Sequence, residues 1–107
     1  SGAAAKCFLE ALRLKPGLAE AHANMAAILL GRNDRGGAIE HLRKALQGMP
    51  NVPEIHNDLG FALASDGQFE EAAKEFAEAL RLRPDMPAAK RNLEHARARL
   101  QAERAPK

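Results

Sequence analysis

The chain has 107 residues, a formal net charge of +2 and a single cysteine, Cys7. This length is typical of one domain, and a composition rich in Ala, Leu, Arg, Glu and Lys, without Trp or Tyr, favours helices over strands. The mild charge does not indicate a nucleic-acid binder, one cysteine excludes an internal disulfide, and no apolar run approaches the roughly 20 residues that cross a bilayer. We therefore predict a soluble all-α domain with no nucleic-acid or membrane contact.

Six amphipathic helices are predicted along the chain from apolar residues that recur every three or four positions. Ser1-Gly2 precede this pattern and resemble a cloning remnant, so we expect the chain to be a piece of a longer protein. The helices are expected near residues 3–14, 18–31, 35–47, 53–65, 69–82 and 87–103, followed by a basic tail at 104–107.

Turn and capping residues separate the predicted helices. Asp34 and Asp66 are expected to cap the helices that follow them. Segments 51–53 and 85–87 each combine a potential capping side chain with a proline in the first helical turn, where the missing N–H costs nothing. These signals divide the chain into short helices joined by tight turns.

An internal repeat of 34 residues organises the chain. The same residue recurs at this offset for the pairs Glu20 and Glu54, His22 and His56, Leu29 and Leu63, Ala38 and Ala72, Ala45 and Ala79, Leu46 and Leu80, and Pro50 and Pro84. The period predicts a half repeat at 3–18, full repeats at 19–52 and 53–86, and a capping helix at 87–103.

The repeat carries a family resemblance. Residues 53–86 read His56-x2-Leu59-Gly60-x2-Leu63, then Ala72-x3-Phe76, Ala79-Leu80 and Pro84, and residues 19–52 are a weaker copy. This pattern resembles the tetratricopeptide repeat, with histidine where the family favours tryptophan. The resemblance implies an all-α α-solenoid of antiparallel helix pairs that is a non-catalytic protein-interaction scaffold.

Packing positions follow from the same resemblance. Small residues are expected where paired helices cross too closely for a large side chain. These are Ala26, Ala38, Gly60 and Ala72. Phe69 and Phe76 are expected to be buried in the best-matched repeat.

A concave groove lined by the first helices of successive repeats is the binding surface that the resemblance implies, and its ligand would be a protein or peptide. The residues placed there are Glu20, Asn24, Ala27, Glu54, Asn57, Asp58, Phe61, Arg91, Asn92 and His95.

One column of this groove, formed by Asn24, Asp58 and Asn92, has the 34-residue spacing. Amides donate and accept at once, so they can pair with a peptide backbone whatever its side chains. The column is similar to the asparagine ladder in the tetratricopeptide region of O-linked N-acetylglucosamine transferases, from which Asp58 departs. Alternatively, these are polar residues on a solvated face. A basic clamp for a C-terminal carboxylate is not expected, because alanines and glutamates surround Asn24.

No catalytic residue, metal site or cofactor is predicted. His22 and His56 hold equivalent places in different repeats and are interpreted as packing residues, since the chain has no His-x3-His or Cys-x2-Cys pair. Phosphate-binding glycine loops and nucleophile motifs are also missing from the sequence. The basic residues of the last helix are interpreted as a solubilising cap, with an anionic binding surface as the alternative.

Two further functions are considered. A self-association module would form a two-fold homodimer through the first predicted helix, whose family partner helix is missing from the sequence. The residues of that surface are Ala4, Cys7, Phe8, Ala11 and Leu12. RNA binding by helical repeats would call for more positive charge. For the parent protein, a bacterial origin and a cytoplasmic location are favoured.

Overall fold

The computed structural model describes residues 16–104, which form five α-helices. They are α1 (Pro16–Gly31), α2 (Arg35–Gly48), α3 (Pro53–Ser65), α4 (Phe69–Leu82) and α5 (Pro87–Arg104). These bounds agree with the predicted helices within two residues, and α1 begins at a proline, as first helical turns permit. The helix predicted near 3–14 lies outside the described residues. So do the self-association residues Ala4, Cys7, Phe8, Ala11 and Leu12, and residues 105–107 of the tail.

The chain divides into two compact units, an N-terminal unit up to Asn51 and a C-terminal unit from Val52. In the described residues, the N-terminal unit consists of α1 packed on α2. The C-terminal unit consists of α3, α4 and α5. The division falls within one residue of the predicted boundary between the two full repeats.

A three-residue turn joins α1 to α2 and makes them an antiparallel pair. Asn33 adopts the left-handed conformation with φ of 63°, which asparagine tolerates better than most residues. Asp34 follows as the N-cap, and its carboxylate accepts the N–H of Gly37 at 3.0 Å. The predicted cap at Asp34 is therefore confirmed.

The turn between α3 and α4 has the same backbone pattern with different residues. Gly67 takes the left-handed position with φ of 80°, and Gln68 is the N-cap, without a side-chain capping bond. The prediction that Asp66 caps α4 is wrong, because the chain reverses at Gly67, after Asp66. Asp66 instead ends α3, and its carboxylate accepts a hydrogen bond from the Gln68 side chain at 2.8 Å.

The predicted caps before α3 and α5 are also displaced. Val52 is the N-cap of α3 and makes no side-chain capping bond, so Asn51 lies one position too early. At α5 the Met86 carbonyl accepts the N–H of Lys90 at 3.1 Å, which puts Met86, and not Asp85, before the helix. The prolines do begin these helices, as expected.

Close approach of helices explains the small residues of the core. Ala26, Ala38 and Ala72 are fully buried, as predicted. A Cβ atom added to Gly60 would come within 2.5 to 3.0 Å of three ring atoms of Phe76, which is itself only 1% exposed. Only glycine therefore fits at this crossing of α3 and α4 without a shift of the ring.

Candidate functional site

An open pocket of about 300 Å³ lies in the C-terminal unit. It is formed by one face of α3, one face of α5 and two phenylalanines of α4 between them. Its lining residues are Phe61, Ala64, Ser65, Phe69, Phe76, Asn92, His95 and Arg99. Helical periodicity explains this set, because residues three and four apart share a face, as on α5 at positions 92, 95 and 99.

The pocket has an aromatic floor and an aromatic wall. Phe76 is buried beneath it, whereas Phe69 is only half buried, so the prediction that Phe69 is buried is wrong. Phe69 is the first residue of α4, where the helix pair has not yet closed over its ring. Phe61 is 51% exposed, and an exposed aromatic side chain beside a concave apolar surface is a common feature of binding sites.

Arg99 provides the charge of the pocket. Its guanidinium carbon lies 5.1 Å from the centre of the Phe69 ring, a cation–π arrangement that orients the planar group. Within residues 16–104, Arg99 makes no ion pair. The hydrogen-bonding edge of the guanidinium is therefore available to a ligand.

An amide pair joins α3 to α5 beside the pocket. The Asn92 side chain donates a hydrogen bond to the Asn57 side-chain oxygen at 3.1 Å, and both residues are half buried. Each amide has a further donor or acceptor that this bond does not use. Two predicted groove residues are thus brought into direct contact.

Carboxylates lie nearer the start of α3. Glu54 is exposed and pairs with Arg83 of the loop after α4. A backbone hydrogen bond at the start of the helix and then Arg83 hold the pKa of Glu54 below its usual value. Desolvation of its carboxyl and then the charge of Glu54 raise the pKa of Asp58, although the Asp58 side chain is exposed overall. Neither carboxylate lines the pocket.

The remaining predicted groove residues are more scattered. Glu20, Asn24 and Ala27 are exposed on α1 in the N-terminal unit, and Arg91 is exposed on α5. Of the predicted set, the pocket brings together Phe61, Asn92 and His95. The column through Asn24, Asp58 and Asn92 stays a prediction.

Two histidines form equivalent polar contacts within the helix pairs. Nδ1 of His22 lies 2.8 Å from Nδ1 of His41, and Nδ1 of His56 lies 2.8 Å from Oε1 of Glu75. The two residues of each pair are 19 positions apart. The second pair is the first pair shifted by 34 residues, so the repeat is visible in these contacts. Burial, followed by the charges of His41 and Lys44, lowers the pKa of His22. The half-buried positions of His22 and His56 agree with a packing role.

Residues 16–104 contain neither a metal site nor a membrane span. In that range no group of three or more His, Cys, Asp or Glu side chains could hold a metal ion. No helix in the same range is long and apolar enough to span a membrane.

Sequence reasoning missed five lining residues of the pocket: Ala64, Ser65, Phe69, Phe76 and Arg99. Phe69 and Phe76 were predicted only as packing residues. Arg99 was assigned to the solubilising cap of the last helix. Its spacing of four from His95 and seven from Asn92 puts it on the same helical face, and this signal could have found it. Ser65 ends α3, where helical spacing says less about side-chain direction.

Comparisons with known proteins agree with this fold. A family model for the tetratricopeptide repeat matches residues 29–91. The structure is similar to the TPR2AB-domain:pHSP90 complex of yeast Sti1, with a TM-score of 0.81 and 19% sequence identity, over 94% of this chain. This chain spans only 39% of the Sti1 chain. No curated protein sequence matches the 107-residue chain. The predicted all-α helical-repeat solenoid is confirmed, and the chain belongs to the tetratricopeptide repeat family.

Proposed function

We propose that the chain is a non-catalytic scaffold that binds a peptide or protein segment, and that the pocket between α3 and α5 is part of its binding surface. Tetratricopeptide repeats are typically a non-catalytic protein-interaction fold. The similar Sti1 domain was solved as a complex with pHSP90, which supports a protein or peptide as the ligand class.

The observation that carries the proposal is the convergence of Phe61, Asn92 and His95 on one open pocket. Sites for ligands are commonly concave and largely apolar, with a few polar groups that orient the ligand. Phe61 supplies exposed apolar surface, and the Asn57–Asn92 pair supplies unused amide groups beside it. A bound segment would bury Phe61 and form hydrogen bonds with the Asn57 and Asn92 amide groups.

Selection from a random peptide display library on the intact chain tests this function. Selected peptides are then titrated against the wild type, Phe61→Ala and the double variant Asn57→Ala, Asn92→Ala. The double variant removes both partners of one hydrogen bond, so no buried amide is left unpaired. Lys74→Ala is the control, because Lys74 is exposed on α4 and does not line the pocket.

Loss of two hydrogen bonds to a peptide backbone should weaken binding by about 1–3 kcal/mol in the double variant. Truncating Phe61 should have an effect of similar size, because interface aromatic residues often dominate binding. Lys74→Ala should bind like the wild type. Failure to select any peptide, or peptides that bind all four proteins equally, would show that this surface is not the binding site.

A further inference from the structure

We propose that the pocket between α3 and α5 recognises a short extended peptide in which a bulky apolar residue is next to an acidic side chain. This inference rests on the proposed peptide-binding function and names the chemistry of its ligand. The pocket provides three separate groups for such a segment: an aromatic cavity, one available guanidinium and an amide pair.

The cavity matches a single bulky side chain. Its volume of about 300 Å³ is at the lower end of the range for small-molecule sites, which runs from about 300 to 1,000 Å³. Phe69, Phe76 and Ala64 provide apolar surface, and the exposed Phe61 forms a side of the pocket. An aliphatic or aromatic side chain would cover Phe61, which water now contacts.

Charge complementarity selects an acidic neighbour for that side chain. No Asp or Glu lines the pocket, and Arg99 has no carboxylate partner within residues 16–104. The guanidinium carbon lies 5.1 Å from the centre of the Phe69 ring, which places the charge at the pocket. A planar guanidinium matches a carboxylate in two parallel hydrogen bonds.

The separation of the polar groups sets the length of the peptide. Asn92 and Arg99 are seven residues apart on α5, and at about 1.5 Å per residue this corresponds to about 10 Å. An extended chain covers that distance in about three residues. A segment whose backbone meets Asn92 would therefore place its acidic side chain at Arg99 and an apolar residue between them.

We commit to an acidic side chain over a C-terminal carboxylate. Terminal carboxylates are usually held by several converging donors. Among the lining residues that the structure describes, the Arg99 guanidinium is the only permanently charged group. One guanidinium is enough to pair with a Glu or Asp side chain that lies next to the apolar residue of an internal segment.

The test uses the intact chain and fluorescent, terminally blocked peptides of Gly and Ser around a central Glu-Phe-Glu. Matched peptides replace phenylalanine with alanine or both glutamates with lysine, and a fourth ends in phenylalanine with a free carboxylate and no glutamate. Anisotropy gives affinities, and amide chemical shifts identify the residues that the peptide contacts. Each peptide is titrated against the wild type, Arg99→Gln and Arg97→Gln. The last variant is the control, because Arg97 is exposed on α5 outside the pocket.

The Glu-Phe-Glu peptide should bind the wild type and Arg97→Gln equally, and Arg99→Gln at least about tenfold more weakly. The alanine and lysine peptides should bind the wild type at least about tenfold more weakly than the Glu-Phe-Glu peptide. Equal binding by the lysine peptide, or no effect of Arg99→Gln, would overturn the inference. So would tighter binding of the free-carboxylate peptide, or displacement of the Glu-Phe-Glu peptide by a single-stranded RNA oligomer.

Peptides selected by display separate this inference from the function on which it rests. If they bind at Phe61 and Asn92 but carry no acidic residue beside an apolar one, the ligand chemistry proposed here is wrong and the scaffold function stands. If neither selected nor designed peptides bind, both proposals fail.

Discussion

Replacing Gly60 with alanine should destabilise the C-terminal unit by forcing the Phe76 ring to move. The added methyl would lie 2.5 to 3.0 Å from three ring atoms, closer than carbon atoms pack. Phe76 is buried and held by its neighbours, so it has little room to shift. The N-terminal unit shows a tolerated combination, because the fully buried Ala26 and Leu42 occupy the equivalent positions there.

The size of the effect follows from two opposing contributions. Overpacking typically costs about 1–3 kcal/mol, while alanine in a helix interior gains about 0.5–1 kcal/mol over glycine. Gly60→Ala alone should therefore lower the free energy of unfolding by up to about 2.5 kcal/mol. In a Phe76→Leu background the clash is removed, so the double variant should lose about 1–2 kcal/mol less than the sum of the single variants.

Denaturant unfolding followed by far-ultraviolet circular dichroism measures these values on the 107-residue chain. Gly36→Ala is the matched control, because nothing lies within 4 Å of its added Cβ and α2 should gain up to about 1 kcal/mol. If the Gly60 and Phe76 substitutions add within about 0.5 kcal/mol, the proposed steric coupling is wrong.

Three further predictions concern the caps, the histidine pair and self-association. Asp34→Ala should lower the free energy of unfolding by about 1 kcal/mol. Asp66→Ala should cost less, because the Asp66 side chain makes no capping bond to α4. Equal losses in chemical denaturation would contradict this. The folded state lowers the pKa of His22, so the unfolded chain binds protons more readily, and the free energy of unfolding should fall as pH drops below about 6.5. Removing the neighbouring charge in His41→Gln should make that fall shallower, and an unchanged pH profile would refute the coupling. Self-association through residues 3–14 predicts dimers by light scattering for the wild type and monomers for Phe8→Glu; the prediction fails if the two proteins have the same mass.

Helix positions were predictable because their signals are local. The bounds of α3 and α4 match the predicted ranges to the residue, since Pro53 can begin a helix and Gly67 can reverse the chain. The capping residues were less predictable. Asp34 and Gln68 are equivalent in the two repeats, yet only the backbone shows that each follows a left-handed residue. The more obvious capping residue, Asp66, lies before that reversal.

The candidate site was only partly predictable, because its polar contacts depend on how α3 and α5 pack. The sequence predicted both Asn57 and Asn92 as groove residues, but only the structure shows the hydrogen bond that joins them. Arg99 was assigned to a solubilising cap, and its stacking on Phe69 depends on the position of α5 against α4. Small rotations of a helix decide which of two adjacent side chains reaches its neighbour.

Sequence signals alone therefore specify the family, the repeat period, the helix positions and the small residues at the helix crossings. Each of these follows from periodicity, from turn residues or from the limited space between paired helices. These signals lie within one repeat or recur from one repeat to the next. Tertiary structure decided that Phe69 stays half exposed, that Asn57 meets Asn92 and that Arg99 faces an aromatic pocket. Those contacts join residues about 30 or more positions apart, and their geometry depends on the packing of three helices, which no local pattern specifies.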